Sequence, residues 1–132
     1  MTRIRALVAA LGARPLFLEP VQHDALAALV SHLPYLAATL LLAQAAEAAE
    51  KDENVWPVSA SGFRDMVRLA GSDPHMLLDI ILTNRPAIVA ELQQYRARLD
   101  DLLALLAGED AAALAAWLQA RQLEHTIYRK GK

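Results

Sequence analysis

"SGFRDMVRLAGSDPHMLLDIILTNRPAIVAELQQYRARLDDLLALLAG", Ser61–Gly108, is the stretch that decides the fold. Within it Asp73 followed by Pro74 marks a helix start: the short carboxylate can accept a free first-turn amide, and proline has no amide hydrogen to leave unpaired there. From that point Leu77, Ile81, Ile88, Leu92, Tyr95, Leu99, Leu102 and Leu106 recur every three or four residues. Such a stripe predicts one long helix to about Ala107, buried along one face, with Gly108 ending it. Pro86 should kink that helix, because its ring removes one hydrogen bond and crowds the Leu82 carbonyl. Asn84 falls on the apolar stripe at the expected kink. Upstream, Ser61 or a neighbour is expected to cap a short helix through Leu69, and Gly71 to stop it.

Toward the N-terminus, Pro20 opens a second expected helix reaching about Glu50, with Leu26, Leu29, Val30, Leu33, Leu36 and Leu40 setting its period. Pro34 lies inside it and should bend it, leaving the Val30 carbonyl without its usual donor. Thr2 to Leu11 reads as a short helix with Gly12 in the left-handed position that closes it. Arg14 to Leu18 (RPLFL) reads as a short extended segment. A lone strand has no partner, so it should pair with another molecule or belong to a larger fold. Lys51 to Ser59 is the main loop, and Glu109 or Asp110 starts a last helix through about Glu124, followed by a basic tail. The expected fold is all-α: a bundle of long kinked helices preceded by a short helix-strand piece.

Composition agrees with that reading and closes several routes. The chain has 132 residues, 55% of them apolar, with a formal net charge of −2. That is enough chain to bury a core without metal or disulfide, and scattered charge of both signs argues against a nucleic-acid binder. The absence of cysteine fits a cytoplasmic protein and removes thiolate chemistry. Ala25 to Ala46 has no formal charge and matches the roughly 20 residues needed to span a bilayer. However, Ser31, His32, Pro34, Thr39 and Gln44 interrupt it, the flanks are acidic, and no Lys or Arg anchors either end. A buried helix of a soluble assembly, with no membrane partner, is the expected reading.

Glycines at 12, 62, 71, 108 and 131 cannot write a dinucleotide or Walker loop. Asp24, Ser31 and Tyr35 share one face of the expected second helix, with His32 beside them. These polar groups either bond back to their own helix and neighbours or line a wet cavity. His23 and Asp24 are adjacent and so diverge on a helix, which suits a metal poorly. Arg64 and Arg68 lie one turn apart. Their guanidinium forks suit a carboxylate or phosphate, although Asp65 to Arg68 could equally be an ordinary helix ion pair. Trp56 and Trp117 read as packing residues.

Taken in order, QHDALAALVSHLPYLAATLL (Gln22–Leu41) and then Ser61–Gly108 resemble the helical C-terminal domain of prephenate and arogenate dehydrogenases, NAD(P)-dependent oxidoreductases of tyrosine biosynthesis. The motifs carrying the resemblance are the H-D pair at His23, S-H-L-P at Ser31, G-F-R-D-x-x-R at Gly62, S-D-P at Ser72 and Asn84. Residues 20–132 would then be a dimerisation and substrate-binding domain, and residues 1–19 the end of a dinucleotide-binding domain otherwise missing from the chain. The resemblance implies a homodimer that closes over a carboxylate substrate, prephenate or arogenate, for oxidative decarboxylation. It implies NAD or NADP in the parent enzyme, no cofactor for this chain alone, and no catalytic residue here, since the catalytic histidine belongs to the missing portion. Arg68 matches the arginine that receives a substrate carboxylate, and His32 a pocket histidine; Ser31, Tyr35, Arg64 and Asn84 complete the expected substrate-binding set. The chain departs from the pattern at Tyr35 (a second histidine), at Ser59-Ala60-Ser61 (glycines), at Leu77 (tryptophan) and at Pro86. The departures at Tyr35, Ser61 and Leu77 motivate the alternative of a free-standing helical dimeric interaction or regulatory protein that has lost the chemistry.

Overall fold

The computed structural model describes residues 2–131, and all regular structure among them is helical. Helix α1 (Thr2–Ala10) ends as its glycine requires. Gly12 takes φ +73°, and the Gly12 and Ala13 amides donate to the carbonyls of Ala9 and Val8, closing the helix with a left-handed cap. Residues 13–19 have no regular structure, so the extended segment expected at Arg14–Leu18 forms no ladder. Among the described residues no strand lies beside it to pair with; instead Arg5 lies 4.4 Å over the Phe17 ring.

Pro20 is the first residue of the next helix, as its fixed φ favours. That helix runs as α2 (Pro20–Ala27), a π turn (Ala28–His32) and α3 (Leu33–Ala49). The bend expected from Pro34 is therefore a wide turn placed just before it. There the Leu33 amide reaches back five residues to the Ala28 carbonyl. The π turn carries one residue more than an α turn, so residues after it are rotated relative to Asp24, and the face expected to join Asp24 to Ser31 and Tyr35 is broken. Together, Pro20–Ala49 is long and apolar enough to cross a membrane by length and composition.

The expected loop at Lys51–Ser59 contains a single helical turn, α4 (Val55–Val58). Next come α5 (Ser61–Val67) and a 3₁₀ turn (Arg68–Gly71); α5 begins after Ala60 with no side-chain cap, contrary to the cap expected near Ser61. Asp73 does cap α6 (Pro74–Thr83), its Oδ1 accepting the His75 amide at 3.0 Å. The long helix expected from Pro74 to Ala107 is broken rather than kinked. Asn84 leaves helical geometry (φ −111°, ψ 23°), and α7 (Arg85–Ala107) restarts with Pro86 in its first turn, where no amide hydrogen is needed. Helix α8 (Ala111–Lys130) begins on Asp110, which accepts the Ala112 and Ala113 amides at 2.9 and 3.0 Å. It runs past the expected end at Glu124, so the basic tail is helical and puts Arg129 and Lys130 in the last turn, where the helix dipole favours cations.

The chain divides into two compact units between Glu91 and Leu92. In the first, α3 packs against α4, α5 and the 3₁₀ turn. Ala28, Ala38, Leu77 and Ile88 are its buried apolar side chains. Small alanines at the helix contacts let backbones approach closely, whereas much larger apolar side chains stay on the surface. In the second unit, Arg121 stacks 5.4 Å over Trp117 and pairs with Glu124 at 2.9 Å.

Candidate functional site

The π turn and the start of α3 supply one wall of a cavity of about 270 Å³, formed by Val30, Ser31, His32, Pro34 and Tyr35. The other wall is Leu69 and Ser72 from the 3₁₀ turn and its end, with Met76, Leu77 and Ile80 from α6. Wide turns of this kind often coincide with functional sites, because they swing side chains off the regular helical register. Here the turn delivers Ser31 and His32 to the same hollow as Tyr35. Ser72 is occupied locally, its hydroxyl donating to the Leu69 carbonyl at 2.8 Å.

Asn84, at the break between α6 and α7, reaches across to the first helix. Its Nδ2 donates to the Asp24 carbonyl at 2.8 Å and lies 3.3 Å from His32 Nδ1. Four of the six expected site residues are therefore brought together: Ser31, His32 and Tyr35 on the cavity wall, and Asn84 in contact with His32. Arg64 and Arg68 are not on that wall. Both are exposed, and no ion pair joins Asp65 to Arg68 among the described residues. Their surroundings differ: Leu69, next to Arg68, lines this cavity, whereas Phe63, next to Arg64, lines a separate apolar hollow with Trp56 and Val58. Trp56 tilts against Phe63 at 6.3 Å between ring centroids, yet it is exposed and forms part of that hollow's wall. His23 and Asp24 pair with each other at 3.1 Å on the surface.

The polar side chains on the cavity wall are two serines, a histidine and a tyrosine, with no carboxylate among them. Hydroxyls and an imidazole can all donate, so the hollow suits a ligand rich in acceptor oxygens. Sequence reasoning missed the apolar wall of Leu69, Met76 and Ile80. The α6 period pointed to Leu77 and Ile81 as core but could not say which side chains would face Ser31 across the fold.

The family model described as "Prephenate dehydrogenase, dimerization domain" matches residues 19–120. The chain therefore belongs to that family, and its fold is the helical dimerization domain shared by prephenate, arogenate and cyclohexadienyl dehydrogenases. It is similar to a prephenate dehydrogenase of Bacillus subtilis, 32% identical over 101 residues, which covers 74% of this chain and 26% of that protein. A cyclohexadienyl dehydrogenase of Zymomonas mobilis is 34% identical over 101 residues, 76% of this chain and 34% of that protein. Among solved structures, Synechocystis arogenate dehydrogenase superposes with a TM-score of 0.84 at 27% identity, over 96% of this chain and 46% of that one. The prephenate dehydrogenase of A. aeolicus, solved with hydroxyphenyl propionate and NAD+, shares the fold with a TM-score of 0.88, at 24% identity and over 44% of its own chain. The present chain thus spans about a quarter to a third of the curated relatives it matches.

Proposed function

We propose that this chain is the substrate-binding and dimerisation part of a prephenate or arogenate dehydrogenase, acting on a cyclohexadienyl carboxylate together with NAD or NADP held by a separate domain. The observation that carries this reading is the cavity wall of Ser31, His32 and Tyr35, free of carboxylates, in a chain of this family. In the proposed complex Arg68 grips a substrate carboxylate at the cavity's edge, and Ser31, His32 and Tyr35 donate to its remaining oxygens. Arg64 supports the rim and Asn84 the back of the pocket. Residues 1–19 are the end of the dinucleotide-binding domain. The similarity to the Synechocystis enzyme covers 96% of the chain and so extends beyond the family match into residues 2–18.

On this reading the nucleotide is held by the separate domain. The five glycines are isolated and none opens a helix after a strand, so the described residues offer no phosphate-cradling loop. Hydride acceptance is the cofactor's chemistry; this chain binds and orients the carboxylate substrate and shields it from water. The working form is a homodimer in the cytoplasm, with neither nucleic acid nor a membrane as partner. Large apolar side chains left exposed within each unit, Leu78 and Leu82 on α6 and Leu118 and Leu123 on α8 among them, support association.

The test is to supply a dinucleotide-binding domain of the family by fusion and to follow NADH or NADPH formation dependent on prephenate or arogenate. Turnover with either substrate is the expected result. A folded, dimeric fusion with no turnover and no carboxylate binding would instead support the scaffold that has lost its chemistry.

A further inference from the structure

Asn84 makes two contacts with the first long helix, to the Asp24 carbonyl and to His32. A backbone carbonyl can only accept, so the Asn84 group 2.8 Å from the Asp24 oxygen must be the amide nitrogen. The same nitrogen faces His32 Nδ1 at 3.3 Å. An amide nitrogen donates and does not accept, so Nδ1 must carry the lone pair and the ring proton must sit on Nε2. The contact is long for a hydrogen bond, yet its sense is set by the shorter one beside it. His32 lines the cavity and Asn84 does not, and of the two ring nitrogens Nε2 is the one that Asn84 leaves unengaged.

We propose that Asn84 is a positioning residue that locks His32 as the neutral Nε2–H tautomer, making it a hydrogen-bond donor to an acceptor oxygen of the bound carboxylate ligand. The donor role rests on the functional reading above; the tautomer lock does not. The lock depends on both helix irregularities. Asn84 can reach the Asp24 carbonyl because α6 stops there, and His32 comes to the cavity edge because the π turn carries it.

The experiment is nitrogen-15 NMR of the ring of His32 in the full chain at alkaline pH, where imidazoles are neutral, with the other three histidines as internal references. Wild type should show the proton on Nε2. Asn84→Asp, isosteric but able only to accept, should move it to Nδ1, with circular dichroism confirming an intact fold. A proton on Nδ1 in wild type, or one remaining on Nε2 in Asn84→Asp, overturns the proposal. Titration with hydroxyphenyl propionate should show about tenfold weaker binding in Asn84→Asp and several-fold weaker binding in the uncharged Asn84→Leu. Unchanged affinity in both variants overturns the donor role. Absence of binding in wild type refutes the functional reading, while the tautomer measurement still decides the role of Asn84.

Discussion

Replacing Arg68 by alanine separates ligand binding from folding. The guanidinium is exposed and makes no ion pair among the described residues, so its loss deletes no buried contact. Surface changes of that kind stay within about 0.5 kcal/mol, which for a chain of this size is about 2 °C in Tm. Binding should respond far more. A hydrogen bond to a charged group contributes about 1.5–3 kcal/mol, which corresponds to about 10- to 150-fold in Kd. Arg64→Ala is the internal comparison: it sits beside Phe63 and the Trp56 hollow rather than beside Leu69, and should weaken binding less than about threefold. Isothermal titration with hydroxyphenyl propionate, alongside thermal melts of each variant, provides both numbers. Equal losses for the two arginines, or a fall in Tm that tracks the loss of binding in Arg68→Ala, would refute the assignment of Arg68 as the carboxylate grip.

Three further outcomes follow from local geometry. Asp73→Ala removes the acceptor of the His75 amide and should cost about 1 kcal/mol in chemical denaturation, with Asp73→Asn recovering most of it. Glu109 holds φ +50° between Gly108 and the cap of α8, a conformation that costs a residue with a Cβ about 1 kcal/mol or more, so Glu109→Gly should raise the Tm of the unit that contains it. Asp52 accepts the backbone amide of Asn54 at 2.9 Å and its side-chain amide at 2.8 Å, and these bonds hold its carboxyl below the usual carboxylate value. With the folded value depressed, the turn's stabilisation is complete above the ordinary unfolded value and fades as pH falls through the folded one. The Asn54 amide resonance should therefore titrate below about pH 4, and a midpoint above that would contradict the turn.

What could be read in the sequence was local. Asp73, Asp110, Pro20 and Gly12 sit where a cap, a first turn or a left-handed residue is needed, and each does that work within four residues of itself. The order of H-D, S-H-L-P, G-F-R-D-x-x-R and S-D-P identified the family because several motifs recur in sequence between His23 and Pro74. Less legible were the features that depend on tertiary contact. A π turn inserts one residue without changing composition, so a helical wheel drawn through Ala28–His32 misplaces Asp24 relative to Tyr35. The Arg14–Leu18 segment has strand-like residues, but a strand exists only when another backbone pairs with it. Arg68 directly precedes the cavity residue Leu69 without lining the cavity, since sequence order does not say where an exposed guanidinium on a 3₁₀ turn will rest.

Two prolines explain why the polar residues of the site meet. Pro34 follows His32 by two positions, and Pro86 follows Asn84 by two. Proline supplies no amide hydrogen and crowds the preceding turn, so the helix upstream must widen or stop. In the first case it widens, and His32 sits in the widened turn; in the second it stops, and Asn84 is the residue at which it stops. A regular helix would have presented both side chains at fixed angles to their neighbours. The irregularities instead let Asn84 cross from α6 to the Asp24 carbonyl and meet His32. Restoring a regular helix at either point, by Pro34→Ala or Pro86→Ala, should thus strengthen local helicity yet separate His32 from Asn84.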